Sequence, residues 1–306
     1  MSPAPRLQAR EPLVGHTRRV SSVALTADGA HLLSGSLDRT LRVWSVGEGL
    51  CSKILLGETS DVNAVASSPD GKVAVSGSGE MTLAAGLARV WDVSAGRPLR
   101  DLAGHEGEVS AVALDTPRGR VATAGADGTV RVWELASGRC LQVLKGHEGW
   151  VRAIAYSPDG ARIVSGSMDG TVRVWEAAGG SLLRTLSGHA DKVYAVAVSP
   201  DGRFVLSGAK SRDLRLWDLA SGECARVLEG HDGVVRGAAF LPDGRWALSA
   251  AEDKTVRLWE VEAGRCVATE ATSGAALCLA MSTDGRRAAV GTYDRRVFVW
   301  DVSRPA

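Results

Sequence analysis

Trp44, Trp91, Trp133, Trp175, Trp217, Trp259 and Trp300 stand 47, 42, 42, 42, 42 and 41 residues apart. A fixed period of about forty residues means stacked copies of one supersecondary unit, none of which buries its apolar face alone. The period is also an internal control. A residue shared by all copies is expected to be architectural, and one that differs at an equivalent position is a candidate for function.

The copy ending at Trp175 is the most regular. It runs Gly146-His147, VRAIAYS (151–157), Pro158-Asp159-Gly160, RIVSGS (162–167), Asp169-Gly170 and TVRVW (171–175). A Gly179-Gly180 turn and SLLRTL (181–186) then lead to Gly188-His189. Short runs of Val, Ile and Leu bounded by turn dipeptides read as strands joined by tight antiparallel connections. No segment sustains a 3.6-residue apolar period, so each repeat is expected to be a four-stranded antiparallel sheet with little helix.

Gly-His before the first strand and Trp-Asp or Trp-Glu after the third resemble the WD-repeat (WD40) family of β-propellers. The Gly-His pairs are Gly15-His16, Gly104-His105, Gly146-His147, Gly188-His189 and Gly230-His231. The Trp pairs are Trp91-Asp92, Trp133-Glu134, Trp175-Glu176, Trp217-Asp218, Trp259-Glu260 and Trp300-Asp301. The resemblance spans essentially the whole chain and implies an all-β, seven-bladed propeller occupying residues 1–306 as one domain. The last copy stops after its third strand, and the segment from Arg6 to Val14 falls in the fourth-strand slot of the repeat frame. It is expected to complete the seventh blade, as propellers of this family commonly close, with Pro12 restricting its pairing to part of its length.

Net charge is +1, with both signs mixed along the chain, so no arm or patch for nucleic acid or a membrane surface is read. MSPAPRLQAR has no apolar core of a signal peptide and no stretch reaches transmembrane length, which places the expectation in the cytoplasm. The Ala, Gly and Arg content points to a GC-rich bacterial genome. Cys51, Cys140, Cys224 and Cys266 each follow their Trp by seven residues. They occupy one slot in four separate blades, so they do not converge on a metal, and they are expected to be buried structural thiols, with Cys278 near the channel. No metal and no cofactor are expected.

His147, Ser165 and Asp169 contain every residue type of a hydrolytic triad. Equivalent sets recur at His105, Thr123 and Asp127, at His16, Ser34 and Asp38, and at His231, Ser249 and Asp253. An enzyme needs one such set in one cleft, so no catalytic residue is assigned. With Trp44, Trp133, Trp175 and Trp259, the resemblance implies buried hydrogen-bonded tetrads that pin the Gly-His loop to the turn before the third strand. Blade 2 has Glu58 in the His slot and lacks the Asp, blade 5 has Ser211 in the Asp slot with Asp213 two residues on, and blade 7 has Thr272 and Val290. Blades 2 and 7 are therefore expected to be the least rigid. Arg42, Arg89, Arg131, Arg173, Arg215 and Arg257, each two residues before its Trp, are expected to satisfy local carbonyls or carboxylates rather than bind phosphate.

The loop before the first strand and the turn between strands two and three share one rim, here the top face. Four residues after the His slot stand Val20, Val62, Val109, Val151, Val193, Val235 and Ala276. The preceding position varies as Arg19, Asp61, Glu108, Trp150, Lys192, Val234 and Ala275, and the following one as Ser21, Asn63, Ser110, Arg152, Tyr194, Arg236 and Leu277. An apolar constant between two variables reads as a buried peg flanked by exposed positions. The slot before the tetrad Asp varies too, with Met168, Lys210, Glu252 and Tyr293 among its residues. Trp150 beside Arg152 and Met168 has the composition of an interface anchor, or it folds over its own blade. Blade 2 carries an insertion, GEMTLAAGL (79–87), on the same rim, either part of the binding face or a neutral expansion.

The expected function is a non-enzymatic platform that binds a protein or peptide across the top rim and channel mouth, as a monomer or within a hetero-complex. The resemblance implies this, and the varied rim agrees with it. The alternatives are a propeller enzyme using the channel as a pocket, or a structural subunit contacting partners through its blade sides.

Overall fold

Seven twisted antiparallel sheets stand around a central channel, and the computed structural model describes residues 4–80 and 85–303 of the chain. Met81 and Leu83 of the blade 2 insertion lie outside the described residues. The first strands, nearest the channel, are Val20–Leu25, Val62–Ser67, Val109–Asp115, Val151–Tyr156, Val193–Val198, Val235–Phe240 and Ala276–Met281. Among the described residues the only helical segment is a single 3₁₀ turn at Thr116–Arg118. The seventh sheet is closed from the N-terminal side. Arg6–Ala9 pairs with Ser303–Trp300 and Leu13–Val14 pairs with Val297–Arg296. The strand is interrupted around Pro12, which has no N–H to give the ladder.

Five of the seven seams between blades are built the same way. The peg residue is buried in every blade and packs against the second strand of the blade before it. A Cβ on Gly35, Gly77, Gly166, Gly208 or Gly291 would meet Cγ1 of Val62, Val109, Val193, Val235 or Val20 at 2.5 to 2.7 Å. The last of these pairs closes the ring from blade 7 to blade 1. At the seam between blades 6 and 7 the same positions hold Ala250 and Ala276, so the larger second-strand residue is matched by a smaller peg, whereas at the seam between blades 3 and 4 Ala124 faces Val151.

A second link runs along the outer edge, where a long side chain on the fourth strand reaches backbone carbonyls after the next blade's third strand. Lys53 Nζ donates to Val93 O (3.0 Å), Arg184 Nε to Leu219 O (3.0 Å), Arg226 Nε to Glu262 O (3.1 Å), and Gln142 to Ala178 O. Arg10, on the N-terminal segment, donates to Val46 O (3.3 Å) and so bridges blade 7 to blade 1. Blade 6 has Ala268 at this place and makes no such bridge, and in blade 2 the Nε of Arg100 there is buried without a partner.

The cysteines correct one expectation. Cys140 is exposed and Cys51, Cys224 and Cys266 are half-buried rather than buried, all with free thiols. Each Sγ donates to the carbonyl two residues on, at 3.3 to 3.4 Å, where the fourth strand bulges beside the Trp. Cys278 lines the channel, and burial pushes its thiol pKa up to about 12.

Candidate interaction surface

The tetrads hold the top face in place. The imidazole Nδ1 of His16, His105, His147 and His231 lies 2.7 to 2.9 Å from Asp38, Asp127, Asp169 and Asp253. Nε2 lies 2.6 to 2.8 Å from the hydroxyl of Ser34, Thr123, Ser165 or Ser249. That hydroxyl accepts from the Nε1–H of Trp44, Trp133, Trp175 or Trp259 at 2.7 to 2.9 Å. A neutral imidazole with its proton on Nδ1 satisfies every member of this chain. Burial alone would raise the four carboxyls, but hydrogen bonds from the histidine and from Thr40, Thr129, Thr171 and Thr255 overcome it and hold them below the ordinary range. The four hydroxyl-bearing residues are fully buried, so no substrate carbonyl reaches them.

The exceptional blades are repaired to different degrees. In blade 2, Glu58 takes the place of the histidine and accepts from Ser76 Oγ, which in turn accepts from Trp91 Nε1 at 2.8 Å. Arg89 stands 4.0 Å from the other carboxylate oxygen, which is buried without a hydrogen-bond partner, so blade 2 is repaired in part. In blade 5, His189 Nε2 meets Ser207 at 2.6 Å, and Asp213 reaches back to stand 3.5 Å from Nδ1 while accepting from Ser211. Blade 7 is not repaired. Val290 offers no acceptor, and Trp300 Nε1 is buried without a hydrogen-bond partner.

The arginines before the Trp markers divide. Arg89 donates to Asp101 (2.6 Å) and Arg215 to Asp213 (3.0 Å), as expected. The Nε atoms of Arg42, Arg131, Arg173 and Arg257 are buried without partners, against expectation. Their NH1 atoms lie over the Gly of the Gly-His loop, where a Cβ would come within 2.2 to 2.8 Å. The glycine is there to admit the guanidinium.

Two backbone devices organise the variable positions. First, the residue before the peg and the slot before the tetrad Asp are tied together. Leu37, Ala126, Met168, Lys210, Glu252 and Tyr293 each donate their N–H to the carbonyl of Arg19, Glu108, Trp150, Lys192, Val234 or Ala275, at 2.8 to 3.2 Å. Second, every first strand carries a β-bulge just after its peg. The bulged residues are Ser21, Asn63, Ser110, Arg152, Tyr194, Arg236 and Leu277, so the repeat loses its constancy there. All seven line one cavity of about 240 Å³ at the channel. A bulge re-aims a side chain at the expense of ladder pairing, and here it does so once per blade. The bulge is not legible in the spacing, and it was the missing information about which variable residues meet.

The predicted rim residues therefore fall into groups. Arg19 and Lys210 are exposed, Tyr293 is 61% exposed, and Asp61, Trp150, Met168, Lys192 and Glu252 are half-buried. Glu108 and Ser110 are corrections, because both are buried. Arg152 covers Glu108 and pairs with it at 2.5 Å, and Ser110 donates its hydroxyl to Ala124 O (3.2 Å) and to Val151 O across the seam. Tyr194 lies 4.0 Å beneath the Arg236 guanidinium, which also holds Glu252 at 2.6 Å. Arg19 stands 5.9 Å from the Tyr293 ring, Asp61 takes Arg18 at 3.3 Å, and Lys210 pairs with Asp191 at 3.5 Å. Met168 N–H donates to Trp150 O at 2.8 Å. The channel mouth is thus uneven: blades 1 to 3 present small polar residues, and blades 4 to 6 present Arg152, Tyr194 and Arg236.

Among the described residues, no group of three or more His, Cys, Asp or Glu side chains is placed to hold a metal ion. No helix among them is long and apolar enough to cross a membrane.

The fold and the repeating tetrads define a closed seven-bladed repeat propeller. A profile of the family described as WD domain, G-beta repeat matches residues 8–45, 49–92, 96–134, 138–176, 180–218, 222–260 and 264–301, and the chain belongs to that family. It is similar to Autophagy-related protein 16 of Arabidopsis thaliana, with 28% identity over 121 residues, covering 39% of this chain and 23% of that protein. It is also similar to Nuclear distribution protein nudF of Emericella nidulans, with 31% identity over 106 residues, covering 34% of this chain and 23% of that protein. A shorter match, 44% identical over 41 residues and covering 13% of each chain, is to Small ribosomal subunit protein RACK1 of Caenorhabditis elegans. The matched segments span less than a quarter of these relatives. A plant, a fungus and a nematode lend no support to the bacterial origin expected from composition.

Proposed function

We propose that the protein is a non-catalytic interaction platform whose partner, a protein or peptide, seats on the top face with a segment entering the channel mouth. The observation that carries this reading is the set of seven bulges. The architecture repeats faithfully through peg, tetrad and Trp, yet at the bulged position it delivers seven mostly different side chains to one opening. A surface held by repeated buried networks but decorated without repetition is suited to recognition. A relative whose name places it in the small ribosomal subunit agrees with a role inside assemblies. Deeper in the channel the lining is mainly Val23, Val65, Val112, Ile154, Val196 and Leu279, with the Ser22 hydroxyl and the Cys278 thiol as exceptions, and burial holds that thiol protonated.

The test is site-specific photo-crosslinking in the native cell type, with the crosslinking residue at Tyr194 or, on the opposite rim, at Asp201. Adducts formed from position 194, absent from position 201 and reduced by Arg236→Ala, are the expected result. Adducts confined to position 201 would place the working surface elsewhere.

A further inference from the structure

Left-handed backbone in this chain follows a pattern with one departure. The turns between first and second strands place Gly29, Gly71, Gly119, Gly160, Gly202, Gly244 and Gly285 at φ of 61 to 72°. The turns between third and fourth strands place Gly49, Gly96, Gly138, Gly180, Gly222 and Gly264 there too. Both sets lie on the bottom face, and every one is glycine, the residue that adopts this conformation without steric penalty. On the top face, the turn after the tetrad Asp uses Gly128 and Gly170 in blades 3 and 4. In blades 5, 6, 7 and 1 the same position holds Arg212 (φ 71°), Lys254 (65°), Arg295 (73°) and Arg39 (67°). They are the positive-φ residues other than glycine among the described residues, and all four are basic. Asn and Asp, which tolerate this region best after glycine, are absent from the position.

Arg39 has partners, Glu80 at 3.1 Å and Asp61 at 3.9 Å. Arg212, Lys254 and Arg295 are exposed, and their side chains make no hydrogen bond or ion pair among the described residues. No contact within the fold accounts for keeping a strained basic residue at three consecutive blades when glycine serves two others. Arg19, exposed and facing only the Tyr293 ring, extends the row into blade 1. Blades 3 and 4 carry the opposite sign in the exposed Glu106 and Glu148, whereas Asp61 and Glu80 of blade 2 are paired with Arg18 and Arg39.

We propose that Arg212, Lys254 and Arg295 form a cationic arc over blades 5 to 7 that binds an acidic peptide segment of the partner, with the acidic rim of blades 3 and 4 fixing its direction. This rests on the reading of the top face as the interaction surface and names the chemistry of what it takes. A peptide fits better than a nucleic acid. The cations are single residues one blade apart, with Asp191, Asp232 and Glu252 between them, and a phosphate backbone wants a continuous basic track.

The experiment uses the whole protein and three labelled probes: a short peptide alternating Glu and Ser, its Lys-Ser counterpart and a single-stranded RNA of similar length. Binding is read by fluorescence anisotropy at low and at physiological ionic strength. The wild type is expected to bind the Glu-Ser peptide, more weakly as salt rises. In the Arg212→Gly/Lys254→Gly/Arg295→Gly variant that affinity should fall roughly tenfold, while Tm stays the same or rises because the turns now match those of blades 3 and 4. Arg212→Lys/Lys254→Arg/Arg295→Lys should bind as wild type, and so should Lys72→Ala/Arg286→Ala on the bottom face. Equal affinity of wild type and the glycine variant would overturn the inference, as would tighter binding of RNA or equal weakening by the bottom-face control. If the acidic peptide fails while position 194 still captures a partner, this inference falls and the broader reading stands.

Discussion

The Arg236 guanidinium lies 4.0 Å from the ring centroid of Tyr194, the residue at the equivalent bulge of the preceding blade. Its other side is held by Glu252. Both side chains are therefore oriented before any partner arrives, which reduces the ordering that binding requires. A double-mutant cycle with Tyr194→Ala and Arg236→Ala should give a coupling of about 0.5–1 kcal/mol in urea unfolding. Arg236→Lys should lose most of that coupling, since an ammonium keeps the charge but not the planar stack. Additive single effects would mean that the guanidinium and the aromatic ring act independently.

Ser165 is the shared atom of its tetrad, 2.8 Å from His147 Nε2 and 2.9 Å from Trp175 Nε1. Ser165→Ala leaves both nitrogens buried without this partner. A loss of about 2–4 kcal/mol is expected from two unsatisfied groups. Ser165→Thr, the arrangement blade 3 uses at Thr123, should retain most of the stability. Chemical denaturation of the two variants side by side checks both statements.

The Gly35 and Val62 pair predicts a rescue. Gly35→Ala puts a Cβ 2.6 Å from Val62 Cγ1 and should destabilise by about 1–3 kcal/mol. Combining it with Val62→Ala recreates the Ala250 and Ala276 pair that the chain itself uses at another seam. The double variant should be more stable than the sum of the single losses allows, as thermal unfolding will show.

Blade 7 should open first. Its Trp300 Nε1 has no partner and Val290 stands where the other blades place a hydroxyl. Hydrogen exchange should therefore protect Arg287–Thr292 less than the second strands of blades 3 and 4, and, with Glu58 in place, less than that of blade 2. Val290→Thr supplies an acceptor of nearly the same shape and should raise stability by about 1 kcal/mol. Unchanged exchange in blade 7 after this substitution would count against the unpaired indole as the cause.

Acid should unfold the ring through the tetrads. Burial lowers the His231 pKa more than its bond to Asp253 raises it, so the unfolded state takes up a proton first as pH falls through the ordinary histidine range. Asp38, Asp127 and Asp169 are held low in the fold, so their contribution is intact above the ordinary carboxylate pKa and is lost as pH falls below it. Tm should decline in two stages, modestly between about pH 7 and 5 and steeply below about pH 4. His231→Gln should flatten the first stage and leave the second.

The repeat and the blade number were legible in the spacing, because both rest on residues that recur in phase, while the closing strand and the tetrads needed the family resemblance as well. What was not legible depends on register. Val151 and Arg152 are neighbours in sequence, yet only a bulge turns one into the seam and the other into the channel, and nothing in side-chain order announces it. Glu108 varies between blades and so looked exposed, but it is buried because Arg152 of the next blade covers it. Glu58 was read as a gap, although a carboxylate accepts from a serine hydroxyl as an imidazole nitrogen does. The basic turn residues carried a signal that was available: Asp-Gly in blades 3 and 4 against Asp-Arg or Asp-Lys in blades 1, 6 and 7.

Ala268 and the Ala250–Ala276 contact have a mechanical meaning. In a linear stack of repeats the end units fray, whereas a closed ring has no end and must be cut before it can unravel. The join between blades 6 and 7 lacks the outer bridge, and the blade on its far side has the unpaired indole. It joins a missing bridge to a neighbouring unpaired indole, and so it is where the circle is held most weakly.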